Sequence, residues 1–129
     1  MELRGIFFWG QYVFLLLILT YLSLTPLQAD ALPTIPFVDK FAHAGFYFLL
    51  GFSFYFAWYM QPLLFHKKRA LLLFGMVFHI VYGTVIEGIQ AYAIPGRFGE
   101  WEDALANALG VLGASLLSYF WFLKKRDVN

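Results

Sequence analysis

The chain contains no cysteine. That excludes disulfides, thiolate metal sites and cysteine nucleophiles, and it leaves the redox compartment unread. Charge is scarce as well: Asp, Glu, Lys and Arg make up 13% of the 129 residues, against roughly 25% in soluble domains. Hydrophobic residues reach 61%, above the roughly 45–50% of a soluble domain, and mean hydropathy is +0.68. A net charge of +1 without a basic stripe offers nothing to nucleic acid. Disorder needs low hydrophobicity and high net charge, the opposite of this composition. A water-soluble domain of this size cannot hide so much apolar surface. The composition therefore points to an integral membrane protein, and the length to a single domain over residues 1–129.

Four long apolar runs carry most of the hydrophobicity: Gly5–Leu24, Phe41–Met60, Ala70–Ile94 and Ala104–Leu123. Every Asp, Glu, Lys and Arg except Glu87 lies outside them. Each run is close to or above the ~20 residues a helix needs to cross a bilayer core. The runs are continuous rather than alternating, which favours helices over barrel strands. The expected fold class is all-α, a polytopic membrane protein built as a four-transmembrane-helix bundle.

The linkers differ in character. Residues 25–38 contain Pro26, Pro33 and Pro36, which break helices because proline lacks the amide donor and clashes with the preceding turn. The segment Gln61–Arg69 is basic through His66, Lys67, Lys68 and Arg69, and the tail Lys124-Lys125-Arg126 is basic again. With four spans, these clusters and Arg4 fall on one side, which the positive-inside rule makes cytoplasmic. Both termini are then cytoplasmic, and Asp39, Lys40, Arg97, Glu100, Glu102 and Asp103 face outward. Trp9, Trp58 and Trp121 fall near the inner interface, Tyr92 and Trp101 near the outer one, as in an aromatic belt. The first run exceeds the ~7–15 residues of a signal-peptide core, so Ala29-Asp30-Ala31, a small-x-small site in outline, is read as loop.

In this topology the polar residues converge on one depth. At ~1.5 Å rise per residue, Asp39, Lys40, His43, Glu87, Gln90, Arg97, Asp103 and Asn107 all lie near the outer surface, with His79 closer to mid-membrane. Spacing adds faces to depths. Asp39 with His43 and Asp103 with Asn107 are i,i+4 pairs, and Glu87 with Gln90 is i,i+3, so each pair shares one side of its helix. Gly75, His79, Gly83, Glu87 and Gln90 continue one small-or-polar stripe, and Asp103, Asn107, Gly110 and Ala114 another. Small residues let helix backbones approach, and polar groups avoid lipid by facing that contact. Taken singly, each residue has a structural reading: Asp39 as a helix cap, His43 satisfied by a carbonyl, Asn107 as interhelical glue, Arg97 as an interfacial anchor. Glu87 is the exception, because an intramembrane carboxylate costs ~2.5–3.5 kcal/mol on insertion scales and calls for a partner such as His43 or Arg97.

At these residues the chain resembles the VanZ-like family of small bacterial membrane proteins. The matching stretches are Asp39-Lys40-Phe41-Ala42-His43, then Glu87-Gly88-Ile89-Gln90, then Arg97 followed by Asp103, Asn107 and Gly110. They follow the family's D-K-x-x-H, E-x-x-Q, Pro/Arg loop and D-x-x-x-N-x-x-G in order, across residues 39–113. Ala44 stands where the family commonly has an aromatic. The resemblance implies a protein of the bacterial cytoplasmic membrane and cell envelope, in a family whose named member is associated with resistance to glycopeptides such as teicoplanin. It implies Asp39, Lys40, His43, Glu87, Gln90, Arg97, Asp103 and Asn107 as the site.

Three functions remain open on this reading. The first is binding of a phospholipid headgroup, a lipid-linked cell-wall precursor or a glycopeptide, with Arg97 and Lys40 contacting anionic groups and Gln90 and Asn107 supplying neutral hydrogen bonds. The second is a membrane enzyme using His43 and Glu87 as acid and base on a lipid-type substrate. The third is a structural or partner-binding module. His43 with Asp39, Asp103 and Glu87 also offers nitrogen and oxygen ligands to a metal ion, although the spacing matches no particular metal motif.

Overall fold

The structure, a computed structural model, describes residues 3–26, 37–61 and 68–124. Within them the chain forms four helices and no strand: α1 (Leu3–Leu24), α2 (Val38–Tyr59), α3 (Lys68–Ala93) and α4 (Trp101–Ser118). The last runs on through a π-helical turn over Tyr119–Leu123, closed by the Lys124 amide donating to the Tyr119 carbonyl at 2.9 Å. Ala29-Asp30-Ala31, Pro33, Pro36, His66, Lys67, Lys125 and Arg126 lie outside the described residues.

Each helix begins two or three residues ahead of the apolar run that revealed it. A hydropathy run marks where charge is excluded, whereas backbone hydrogen bonding carries a helix on into polar sequence. Asp39 and Lys40 therefore sit in the first turn of α2, and Glu102 and Asp103 in the first turn of α4. Asp39 is not the cap of α2. Phe37 holds that position, with no side-chain hydrogen bond to the helix.

Among the described residues three helices are long and apolar enough to cross a membrane: α1, α3, and α4 continued to Phe122. The second helix matches α1 at 22 residues. Its Tyr, Trp, His, Gly and Ser residues bring its hydropathy below that of the others.

α2 and α4 share the most extensive interface, α3 packs on α4, and α1 lies against α2 and α3. Gly75, His79, Gly83, Glu87 and Gln90 of α3 are all buried, as are Asp103, Asn107, Gly110 and Ala114 of α4. Both stripes read from residue spacing thus face the bundle interior. Bulky apolar side chains, among them Phe7, Phe14, Leu17, Phe74, Val77, Val81, Leu109 and Leu116, point outward. Water would drive the opposite sorting. Small residues at the contact and large ones at the periphery are the arrangement expected where the surroundings are themselves apolar.

Gly110 sets the closest approach of α4 to α2. A Cβ there would collide with the carbonyl oxygen of Ala44 and come within 3.0 Å of the Phe48 amide nitrogen, both of them backbone atoms of α2. Away from this contact, Tyr12, Leu19, Leu50, Phe54, Tyr55 and Leu71 form an apolar core around His79. His79 is fully buried. Its Nδ1 lies 2.6 Å from the Gly75 carbonyl, an acceptor only, so Nδ1 carries the proton. Nε2 then accepts from the Tyr12 hydroxyl at 3.1 Å, pinning α1 to α3.

Gly110→Ala is expected to destabilise the bundle by about 1–3 kcal/mol, because backbone cannot step aside as a side chain can. Gly88 of α3 has open space where its Cβ would stand. Gly88→Ala is expected to be neutral or to gain about 0.5–1 kcal/mol from restricted backbone freedom. Reversible unfolding of the two variants in mixed detergent micelles checks the contrast.

Candidate functional site

α1 and α3 finish at the end of the bundle where α2 and α4 begin, and the polar side chains gather there. The first turns of α2 supply Asp39, Lys40 and His43. The last turns of α3 supply Glu87 and Gln90. The connection between α3 and α4 turns at Gly96, in the left-handed conformation at φ 78°, and supplies Arg97. The first turns of α4 supply Asp103 and Asn107.

At the centre is a relay across three helices. Asn107 Nδ2 donates to Glu87 Oε1 at 3.1 Å, and Asn107 Oδ1 lies 3.1 Å from His43 Nδ1. The opposite orientation of the amide would set its oxygen against a carboxylate oxygen, so the network fixes both the amide and its neighbour. His43 Nδ1 must donate, and the lone pair of a neutral imidazole is then on Nε2. Glu87 Oε1 is also 3.4 Å from His43 Nδ1. The other oxygen, Oε2, is buried without a hydrogen-bond partner. Of the two partners weighed for Glu87 in the sequence, His43 is the one beside it, and Asn107 joins them.

Lys40 anchors a second group on the same end. Its Nζ lies 2.5 Å from Glu100 Oε2, 2.6 Å from Asp103 Oδ1 and 3.6 Å from Asp39 Oδ2. Partial loss of hydration lowers the pKa of the Lys40 ammonium, but the Asp103 and Glu100 carboxylates outweigh this and hold it above the ordinary lysine value. His43 Nε2 faces the same acids, 3.5 Å from Asp39 Oδ1 and 4.0 Å from Asp103 Oδ2.

Gln90 and Arg97 take a different partner, the end of α1. Gln90 Nε2 donates to the Ser23 carbonyl at 2.7 Å. Arg97 donates through Nε to the Thr25 carbonyl at 3.1 Å and through Nη2 to the Leu22 carbonyl at 2.6 Å. Leu22 and Ser23 lie in the last turn of α1, whose carbonyls have no amide partner within the helix, and Thr25 follows directly after it. A cavity of about 190 Å³ separates this latch from the relay. Its lining includes polar Asp39, His43, Gln90 and Arg97 and apolar Leu19, Leu22 and Phe46.

All eight residues singled out in the sequence therefore come to one end of the bundle, but they divide. Asp39, Lys40, His43, Glu87, Asp103 and Asn107 form one connected network, while Gln90 and Arg97 reach it across the cavity. Sequence reasoning passed over Glu100 as a partner of Lys40, since it lies in the loop outside any helical spacing. It also passed over the Leu22, Ser23 and Thr25 carbonyls, which carry no signal in side-chain letters. Chemically, the arrangement offers an imidazole oriented by an amide and a carboxylate, a group of acids around one ammonium, and a guanidinium on the far wall of a small amphipathic cavity. Comparison of the chain with protein-family models, with curated proteins and with solved structures returns no match.

Asn107→Leu removes the link between Glu87 and His43 and strands a buried carboxylate and a half-buried imidazole. A loss of about 1–3 kcal/mol is expected, read by unfolding in detergent micelles. Exposed Glu102, in the first turn of the same helix, gives the reference, with Glu102→Gln expected within about 0.5 kcal/mol of the parent.

Proposed function

We propose that this chain is a four-span protein of the bacterial cytoplasmic membrane, VanZ-like in kind, that binds the anionic headgroup of an amphiphile in the cavity between α1, α2 and α3. The cavity itself carries the reading. Its lining combines Leu19, Leu22 and Phe46 with Asp39, His43, Gln90 and Arg97, so apolar and polar groups meet in one cavity, as a molecule with a chain and a headgroup requires. Arg97 is the cation available to an anion. Its hydrogen bonds to the Leu22 and Thr25 carbonyls do not neutralise it, whereas Lys40 is held by Glu100 and Asp103. Phospholipids, lipid-linked cell-wall precursors and the lipid-proximal part of a glycopeptide share this chemistry.

The inward sorting of α2 supports a fourth span. Tyr47, Gly51 and Tyr55, which lower its hydropathy, are buried, while Phe41, Phe46 and Leu49 are exposed. A helix judged by its average loses credit for the face it hides. Arg4, Lys68, Arg69 and Lys124 stand at the end opposite the cavity, so the positive-inside rule puts both termini in the cytoplasm and the cavity at the outer surface.

One observation favours a second reading, a membrane enzyme. Glu87 Oε1 stands 3.4 Å from His43 Nδ1 while His43 lines the cavity, the arrangement of a general base oriented by a carboxylate. In that case His43→Ala with Glu87→Ala changes the lipid or precursor profile of cells. In the binding reading the profile stays as it is.

Purified protein is expected to melt at a higher temperature with phosphatidylglycerol than with phosphatidylcholine, and Arg97→Gln is expected to abolish the difference. Equal melting with every lipid tried, for parent and variant alike, refutes the binding reading. For topology, a membrane-impermeant thiol reagent added to whole cells is expected to label Glu100→Cys and not Lys68→Cys. The chain has no cysteine of its own to confuse the result. Labelling of Lys68→Cys alone reverses the orientation.

A further inference from the structure

We propose that Asp39, His43 and Asp103 form a binding site for a divalent transition-metal ion of the zinc class. One ligand atom from each of these residues falls within 4.8 Å of the others. The distances from His43 Nε2 are 3.5 Å to Asp39 Oδ1 and 4.0 Å to Asp103 Oδ2. Bonds of ~2.0–2.1 Å in a tetrahedron place neighbouring ligand atoms about 3.4 Å apart, so a small contraction completes the geometry.

The two carboxylates are divided in the same sense. Asp39 Oδ2 and Asp103 Oδ1 face the Lys40 ammonium, and Asp39 Oδ1 and Asp103 Oδ2 face His43. Lys40 thus leaves one oxygen of each acid to the imidazole. On the far side of the ring, Asn107 accepts from Nδ1 and turns the Nε2 lone pair toward those two oxygens. Three electron-rich atoms that point at one another repel unless a cation lies among them.

What stands behind the ring fits the same purpose. Metal-bound imidazoles almost always donate their other N–H to a carboxylate, carbonyl or water, which fixes the tautomer and raises ligand basicity. Asn107 Oδ1 at 3.1 Å and Glu87 Oε1 at 3.4 Å occupy that position. Glu87 is only 5% exposed, and its Oε2 has no partner. Asp39, Asp103 and Glu100 share the single Lys40 ammonium, with Glu87 behind the imidazole, an excess of acidic groups that a divalent ion offsets. Imidazole nitrogen with two monodentate carboxylates favours zinc over calcium or magnesium, which take all-oxygen sets. Asp39 and His43 line the cavity, so the remaining coordination position opens into it for water or a ligand atom.

This site does not depend on an amphiphile in the cavity, and its test uses no added lipid. Full-length protein in metal-stripped detergent micelles is titrated with Zn²⁺ alone against a chromophoric chelator. One Zn²⁺ per chain is expected. Asp39→Asn and His43→Gln are each expected to weaken it about tenfold or more, Asn107→Ala about 10–100-fold through the imidazole, and Glu102→Gln not at all. Co²⁺ in place of Zn²⁺ is expected to give the visible absorption of a four- or five-coordinate ion. The Asp39 side chain is 64% exposed, so Asp39→Asn decides the matter even where His43→Gln fails to fold. No saturable Zn²⁺ binding overturns the proposal, as does one-to-one binding that Asp39→Asn leaves unchanged.

Discussion

The hydrogen-bonded relay from Glu87 through Asn107 to His43 is the interaction on which the polar end of this bundle depends. It joins α3, α4 and α2 at one level, so a shift of α2 or α3 along its axis breaks one bond to buried Asn107, and a shift of α4 breaks both. Its cost is also what makes it specific. A carboxylate that sits among apolar helices is tolerated only with its partners in place, and those partners must come from two other helices. Registration of the bundle and protection of Glu87 are therefore the same requirement. Gly110 serves it from below, since only a residue without a side chain lets α4 lie close enough to α2 for Asn107 to reach His43.

The remaining polar pairs follow a common logic at lower stakes. His79 with Tyr12, Thr20 with Tyr82, and Tyr55 with Ser115 each connect two helices through polar side chains. Such bonds contribute about 0.6–2 kcal/mol each in membrane proteins. Because they are spaced along the bundle, α1 is pinned at more than one height even though its interfaces are smaller than that of α2 with α4.

Much of this was legible in the sequence, and the limits have physical causes. Depth followed from the fixed rise of a helix, and facing followed from its period. Glu87, Asn107 and His43 could thus be brought to one level, and the stripes on α3 and α4 turned inward, before any coordinates. The partners within that level were harder to read. Lys40 was expected to meet an anionic ligand, yet it lies among Glu100, Asp103 and Asp39. Helical spacing says nothing about a loop residue such as Glu100. Gln90 and Arg97 bind backbone carbonyls, and every residue has one of those, so no letter distinguishes them. The π-helical turn after Ser118 likewise has no mark in the residues that form it.

The antiparallel order of the helices has a consequence for the charge around the cavity. Every peptide unit carries a dipole, and aligned along a helix they leave partial positive charge at its start and partial negative charge at its end, worth about 0.3–1 kcal/mol to a suitably signed neighbour. Two helices start at this end of the molecule and two finish. Asp39, Glu102 and Asp103 stand where helices start, and Arg97 stands against the final carbonyls of α1. Each is favoured by the helix it touches before it meets any other side chain. Glu87 stands against this order, near the finish of α3, and needs Asn107 and His43 for that reason too. The sign of each wall of the cavity is set by the direction in which the backbone runs past it.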